Sequence, residues 1–204
     1  MSDAKLFVIA APSGAGKTTL VKALTTRNPE LRFSISYTTR PKRRNEADGV
    51  DYLFVDKGEF FDLRERGELL ESAKVFDNYY GTSRRQVEQH LANGNNVLLE
   101  IDWQGAEQVR ETMPDCITIF ILPPSIEELE RRLRSRRTDT EDVIARRLGD
   151  AHSDMQHWQD FDHVIINDDL DRALQKLVDV LEGNGGATST KNPGHREAIE
   201  AIVR

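Results

Sequence analysis

One segment near the N-terminus carries the strongest structural signal in the chain: Leu6-Phe7-Val8-Ile9-Ala10-Ala11-Pro12-Ser13-Gly14-Ala15-Gly16-Lys17-Thr18-Thr19. Its first five residues form an apolar run with the length of a buried strand, and Gly16-Lys17-Thr18 is typical of a helix start after a glycine-bearing loop. Glycine lets the backbone N–H groups of such a loop turn to one side, because it has no Cβ in the way. The segment therefore predicts a strand, a loop and a helix N-terminus that together cradle phosphate groups.

The residues of this loop have individual predicted roles. Lys17 is expected to reach the β- and γ-phosphates of a nucleoside triphosphate, and the hydroxyl of Thr18 to ligate Mg²⁺. The triphosphate is expected to lie against Ala11, Pro12, Ser13, Gly14, Ala15, Gly16, Lys17, Thr18 and Thr19. The usual motif opens with glycine where this chain has Ala11, and a methyl group is tolerated there if φ stays negative. The alternative is an ordinary strand–turn–helix connection, which requires the glycines, lysine and threonine to fall at these positions by chance.

Composition narrows the function classes further. The chain has 204 residues, 28 basic and 35 acidic, for a net charge of −7, which argues against a general nucleic-acid-binding protein. No apolar run approaches membrane-spanning length, and residues 1–5 lack the features of a signal peptide, so we expect a cytoplasmic protein that binds no membrane. The arginines nevertheless cluster at residues 40–44 and 131–147, which indicates two places where small polyanions bind, although some of these arginines also suit a solvated surface.

Apolar runs alternate with helical patterns along most of the chain, which predicts an α/β fold with a parallel sheet covered on both faces. The expected strands are 5–10, one near 33–37, 97–101, 116–122 and 163–167, and the expected helices are 17–27, 83–93, 103–112, 125–136, 140–157 and 169–182. Residues 34–83 break this rhythm and predict an inserted mixed β subdomain with a helix near 58–66. The composition of residues 183–194 is that of a flexible linker, and nothing in the sequence shows what the last ten residues would dock on.

Beyond the loop, several motifs together resemble those of guanylate kinases. They are Ser36-Tyr37-Thr38-Thr39-Arg40-Pro41-Lys42-Arg43, Asp51-Tyr52, Glu71, Asn78-Tyr79-Tyr80-Gly81-Thr82 and Glu100-Ile101-Asp102-Trp103-Gln104-Gly105. The resemblance is to the bacterial type of this family of P-loop nucleoside monophosphate kinases. It implies a three-layer P-loop NTPase fold and transfer of the γ-phosphoryl of ATP to GMP, giving ADP and GDP, with Mg²⁺.

The resemblance also implies a division of the chain. A guanylate kinase-like domain would cover residues 4–183, with its core at 4–33, 84–124 and 151–183, a GMP-binding subdomain at 34–83 and a helical lid at 125–150. Residues 184–204 would then be a flexible C-terminal tail. The sequence does not decide whether the chain forms a homo-oligomer.

Recognition of GMP is assigned by the resemblance to Ser36, Arg40, Arg43, Tyr52, Glu71, Tyr80, Thr82 and Asp102. The chemistry of these residues agrees, because guanidinium groups match phosphate oxygens and a carboxylate can accept from the adjacent N1–H and 2-amino donors of guanine. For the tyrosines the alternative is core packing, which we expect for Tyr79, and for Glu71 it is a solvated glutamate. The chain departs from the family pattern at Thr82, commonly serine, and at Asn45, commonly glycine.

Catalysis and metal binding complete the expected site. Glu100 and Asp102 lie two apart after an apolar run, which predicts that both project from one face of a strand end; Glu100 is assigned to Mg²⁺ through water. Arg132 and Arg136 share a helix face and, with Arg147, resemble the lid arginines that stabilise charge on the transferred phosphoryl, together with Lys17 and Arg40. Asn167 resembles the residue on the adenine side.

Two other functions fit parts of the sequence. A non-catalytic scaffold module of the same fold is disfavoured by Lys17, Thr18 and the lid arginines. A related kinase for another phosphorylated small molecule is disfavoured, but not excluded, by Glu71 with Tyr80.

Overall fold

The computed structural model describes residues 4–75, 77–135 and 141–204. Its elements, in chain order, are β1 (Leu6–Ala10), α1 (Lys17–Arg27), β2 (Arg32–Phe33), β3 (Tyr37–Thr38), β4 (Leu53–Phe54), α2 (Lys57–Glu65), β5 (Leu69–Val75), β6 (Asn78–Ser83), α3 (Arg84–Ala92), β7 (Val97–Glu100), α4 (Trp103–Thr112), β8 (Ile117–Leu122), α5 (Ile126–Ser135), α6 (Glu141–Met155), β9 (His163–Ile166), α7 (Leu170–Leu181) and α8 (Pro193–Val203). Short 3₁₀ helices occupy Gln156–Asp160 and Gly185–Thr188.

The predicted α/β fold is confirmed. Five strands form one sheet in the order β2-β7-β1-β8-β9, with β2–β7 and β8–β9 parallel. All five residues of β1 are buried, which is typical of a strand with both faces covered. Each buried Phe, Val or Ile in it contributes about 1.5–3 kcal/mol relative to an exposed position.

The inserted mixed β region is also confirmed. A second sheet has the order β4-β3-β6-β5, in which β3 and β4 are parallel and β6 runs antiparallel to both β3 and β5. Helix α2 contributes Phe60 and Leu63 to a small buried cluster with Leu69, and Tyr79 packs against it as predicted. The core under this sheet thus includes the tyrosine that the sequence assigned to packing.

The chain divides into two compact units. The first comprises Met1–Val8 and Pro29–Ile117, and the second comprises Ile9–Asn28 and Thr118–Arg204. In the described part of the chain, no helix is both long enough and apolar enough to cross a membrane.

Two local expectations differ from the structure in the first unit. The single strand expected near 33–37 is two short strands, β2 and β3, which belong to different sheets. Strand β7 ends at Glu100, and Asp102 instead caps α4 by accepting from Gly105 N at 2.8 Å. The alternation of strand faces therefore does not apply to Asp102, which lies outside β7 and satisfies a free N–H group at the start of α4.

The flexible tail expected at residues 184–204 is corrected by the structure. Thr190 N donates to Asp162 O at 3.0 Å, and Ser189 forms an antiparallel bridge with His163 at the start of β9. Helix α8 buries Ile199 completely, and Gln156 Nε2 donates to the carbonyl of Val203 at 3.0 Å. A glycine-rich composition predicted flexibility, but specific backbone pairing and the apolar face of α8 fix this segment to the second unit.

Candidate functional site

The phosphate-binding loop lies in the second unit, between β1 and α1. Gly14 and Gly16 have φ of 93° and 94°, which is the left-handed region that favours glycine, and Gly16 is the N-cap of α1. A Cβ on Gly14 would lie 2.9 Å from Leu129 Cδ1, and one on Gly16 would collide with Asn167 Nδ2. Both glycines are therefore required by conformation and by space.

Helix α1 begins at Lys17, so the predicted phosphate ligands lie at its N-terminus. Lys17 is half-buried, Thr18 and Thr19 are exposed, and Pro12 is buried. The helix dipole adds partial positive charge at this end, which favours anions. The lysine, the two threonines and the loop backbone therefore lie at a helix N-terminus, the end of a helix that favours anions.

A network of side chains binds the carbonyl of Ala15 in this loop. Asn167 Nδ2 donates to the carbonyl of Ala15 at 2.8 Å, and Arg132 Nη1 donates to the same oxygen at 3.2 Å. Arg132 Nη2 also donates to the carbonyl of Asn167 at 3.0 Å. Glu128 accepts from Arg132 Nε at 2.7 Å, and hydrogen bonds from Arg131 and Arg132 lower the pKa of Glu128 to about 2.

The other predicted arginines of the second unit have different placements. Arg147 is half-buried on α6. Arg136 lies outside the described residues, so its predicted role has no structural counterpart. The structure thus brings Arg132 and Asn167 to the phosphate-binding loop.

In the first unit, the predicted acceptor-phosphate residues converge around Arg40. Its guanidinium lies 5.2 Å from the ring centre of Tyr52, and the rings of Tyr52 and Tyr80 are 6.0 Å apart. A hydrogen bond to Glu46 raises the pKa of Arg40, and a further hydrogen bond to Tyr80 acts in the same direction. Arg43, in contrast, has a largely exposed side chain.

Glu46 is the residue of this group that sequence reasoning missed. Its two carboxylate oxygens accept from Arg40 Nη2 at 2.7 Å and from Nη1 at 3.0 Å, and one of them also accepts from Arg43 N at 2.8 Å. The hydrogen bonds from Arg40 lower the pKa of Glu46. The only signal available in the sequence was one carboxylate next to a cluster of arginines.

Tyr52 and Glu100 are linked electrostatically. Burial raises the pKa of Tyr52, and the negative charge of Glu100 raises it further. Tyr52 is therefore a neutral hydroxyl group at physiological pH, able to donate a hydrogen bond. Glu100 is half-buried at the carboxyl end of β7.

The predicted base-recognition residues form a second group in this unit. Glu71 is only 4% exposed, and Thr82 Oγ1 donates to Glu71 Oε1 at 2.6 Å, so the solvated-glutamate alternative is excluded. The two residues face each other across β5 and β6. Ser36 is half-buried immediately before β3.

Gly105 is a further residue of this site. It belongs to one of the sequence motifs, but the sequence did not indicate why a glycine is needed there. A Cβ at Gly105 would lie 2.7 Å from Glu71 Oε2, so the carboxylate lies against the first turn of α4. The N-terminus of a helix stabilises negative charge, which accounts for a glutamate buried at this position.

The described residues do not contain a cluster of three His, Cys, Asp or Glu side chains able to hold a metal ion by themselves. The predicted Mg²⁺ ligands, Thr18 and Glu100, are a hydroxyl and a carboxylate, and oxygen donors of this kind suit Mg²⁺, which also keeps several water ligands. The donor chemistry of each of these two residues therefore fits Mg²⁺.

A buried parallel strand followed by this loop and helix defines a P-loop nucleotide-binding protein. The family model described as guanylate kinase matches residues 3–184. The chain belongs to the guanylate kinase family.

Similar proteins cover nearly the whole chain. Guanylate kinase from Aromatoleum aromaticum is 55% identical over 197 residues, 97% of each chain, and that from Hydrogenovibrio crunogenus is 49% identical over 98% of this chain and 97% of the relative. The crystal structure of guanylate kinase from Anaplasma phagocytophilum is similar, with a TM-score of 0.74 and 33% identity over 98% of this chain and 96% of that one.

Proposed function

We propose that this chain transfers the γ-phosphoryl group of ATP to GMP, producing ADP and GDP. The observation that carries the proposal is the buried carboxylate of Glu71, hydrogen-bonded by Thr82 at 2.6 Å. Guanine offers the adjacent donors N1–H and the 2-amino group to such an acceptor, whereas adenine has an acceptor at N1. Family membership supports the same reaction.

Binding of the acceptor phosphate is assigned to Arg40, Arg43, Tyr52 and Tyr80. Arg40 is already oriented by Glu46 and lies over Tyr52, so its donors need little reordering when an anion arrives. Ser36 and Asp102 are proposed to contact the guanine and the guanosine side, respectively. The N-capping bond of Asp102 fixes its carboxylate for such a contact.

The donor triphosphate is assigned to the loop Ala11–Thr19 and the N-terminus of α1. Lys17 would bind the β- and γ-phosphates, and Arg132 and Arg147 would stabilise charge that develops on the transferred group. Residues 125–150, which include these two arginines, remain a proposed lid. A GMP phosphate oxygen is already anionic at neutral pH, so alignment and charge stabilisation suffice without a strong general base.

The family implies Mg²⁺ as the cofactor. Thr18 would ligate it directly and Glu100 through water, and the ion would neutralise charge on the donor phosphates. The small-molecule substrates are ATP and GMP, and the cytoplasmic location stays a prediction.

The test is a coupled ADP-release assay with GMP, dGMP, AMP, UMP and CMP, run on the wild type and Glu71→Gln. The substitution places an NH₂ donor opposite the donors of guanine, at a cost of roughly 2–4 kcal/mol, so kcat/KM for GMP should fall about 30- to 1000-fold. The KM for ATP should barely change, and AMP use should be unaffected or slightly improved. The exposed Glu65→Gln serves as control.

If kcat and KM for GMP are unchanged in Glu71→Gln, Glu71 does not recognise guanine. Preference of the wild type for another monophosphate would favour the related-kinase alternative, and absence of turnover with all five would favour the scaffold alternative.

A further inference from the structure

We propose that Asn167 is a positioning residue for the phosphate-binding loop: it fixes the Ala15–Gly16 peptide so that its N–H group faces the donor phosphates. The inference rests on the proposed function only in assigning a triphosphate to this loop. It differs from the adenine-side role that the family resemblance suggests for Asn167, because it concerns the phosphates and not the base.

The first observation is the direction of the Asn167 amide. Its Nδ2 donates to the carbonyl of Ala15 at 2.8 Å, across 152 positions in sequence. The residue is 6% exposed, and its own N–H donates to Leu122 O at 2.8 Å, which ties it to the end of β8. A buried amide held at both its backbone and its side chain is a rigid support for the loop.

The second observation is that this contact requires Gly16. A Cβ at Gly16 would collide with Asn167 Nδ2, and Gly16 has a φ of 94°. The glycine thus permits the close approach of the asparagine as well as the turn of the loop. The absence of a Cβ at Gly16 therefore leaves room for the Asn167 amide beside the loop.

The orientation of one peptide group follows from these contacts. A trans peptide is planar, so its N–H points opposite to its C=O. Because the Ala15 carbonyl is directed at Asn167 Nδ2 and Arg132 Nη1, the Gly16 N–H of the same peptide is directed the other way. Backbone N–H groups turned to the concave side of such a loop are the donors that bind phosphate oxygens.

Arg132 completes the support from α5. It bridges the carbonyls of Ala15 and Asn167, and Glu128 holds its Nε at 2.7 Å. When Arg132 turns toward a bound phosphate, Asn167 remains as the donor that keeps the Ala15 carbonyl outward. Asn167 is therefore the residue whose loss should disorder the loop without removing a charge from the site.

The test separates the phosphates from the base. Binding of ATP and of inorganic tripolyphosphate, each with Mg²⁺, is measured by calorimetry for the wild type, Asn167→Ala and Asn167→Leu. A positioning role predicts that both ligands weaken by a similar factor, about tenfold, in both variants. Asp168→Ala is the matched control, since this exposed neighbour pairs with Arg172 at 3.0 Å.

Other outcomes overturn the proposal. Loss of ATP binding with unchanged tripolyphosphate binding would mean that Asn167 contacts the base, and unchanged binding of both would mean that it has no positioning role. Circular dichroism and GMP affinity report on folding. Asn167→Leu roughly conserves side-chain volume, adds no charge and removes the donor, so it tests the proposal even if Asn167→Ala leaves a cavity that unfolds the protein.

A second readout uses the free protein. Amide hydrogen exchange of the Gly16 N–H should accelerate in both variants, and unchanged exchange there would also contradict the proposal. Neither measurement uses turnover, so a failure of the proposed GMP phosphorylation in the wild type remains a separate result.

Discussion

Arg40 and Glu46 form a two-pronged ion pair, with Nη2···Oε1 at 2.7 Å and Nη1···Oε2 at 3.0 Å, in a part of the first unit where both side chains are mostly shielded from water. Glu46 also accepts from Arg43 N. The Glu46 carboxylate therefore connects the two arginines assigned to the acceptor phosphate. It fixes the side chain of Arg40 and the backbone of Arg43.

Replacing Glu46 by alanine should weaken GMP use. Arg40 loses its orienting partner, and a charge-assisted hydrogen bond contributes about 1.5–3 kcal/mol, so KM for GMP should rise about tenfold or more, with little change for ATP. Steady-state kinetics at fixed ionic strength measure this effect. Glu46→Gln should give a smaller rise, because the amide oxygen can still accept from Arg40, and a fall in KM would show that Glu46 competes with the phosphate instead of orienting its ligand.

Gly105→Ala should impair recognition of guanine. The added Cβ would lie 2.7 Å from Glu71 Oε2 and 3.2 Å from Asp102 Oδ1, so the Glu71 carboxylate must move. We expect KM for GMP to rise about tenfold in the coupled assay, a change of about 1.4 kcal/mol in binding. The control is Gly149→Ala on α6, where a Cβ meets nothing within 4 Å and the helix should gain stability. Equal KM values for Gly105→Ala and the wild type would show that the carboxylate adjusts without loss.

Lys17→Ala should abolish phosphoryl transfer without unfolding the protein. Lys17 is half-buried at the start of α1 and is assigned to the transferred phosphates, so turnover should fall ~100-fold or more. GMP affinity, measured by calorimetry, should not change. Lys22→Ala, an exposed lysine later in α1, is the control, and wild-type turnover in Lys17→Ala would contradict the assignment of the loop.

The contact between the C-terminal segment and β9 should weaken in acid. Burial lowers the pKa of His163, whose Nδ1 lies 3.1 Å from Thr188 Oγ1, so the folded protein favours the neutral ring. Its contribution to stability is present above the unfolded pKa of about 6.5 and is lost as the pH falls through the lower folded value. Thermal unfolding between pH 7.5 and roughly 5 should therefore show a smaller loss of stability in His163→Gln than in the wild type. His152→Gln, on an exposed helical position, should follow the wild type.

The sequence predicted most of the architecture because local patterns agree with the tertiary environment. Helices α1 and α4 have the predicted bounds, since a glycine-rich loop precedes one and a capping Asp102 precedes the other. Strand β6 was recognised only as a motif, because Asn78–Ser83 is polar and gains its partners from β3 and β5.

The site was predictable by residue type but not by partner. Glu71 and Thr82 follow from the family motifs, whereas their direct hydrogen bond depends on the register of β5 and β6. The pairing of Glu46 with Arg40 depends on how the loop between these two residues folds, and that of Asn167 with Ala15 links positions 152 residues apart. No local sequence pattern relates the members of either pair.

The docked C-terminal segment has a consequence for self-association. β9 is the last strand of its sheet, and a strand in that position offers unpaired backbone groups to any other strand that approaches. Ser189 and Thr190 pair with the beginning of the free edge of β9. Helix α8 lies next to this strand, with His195 Nε2 2.8 Å from the carbonyl of Val164. The end of the chain thus protects the beginning of this strand edge from pairing with the strand of another molecule.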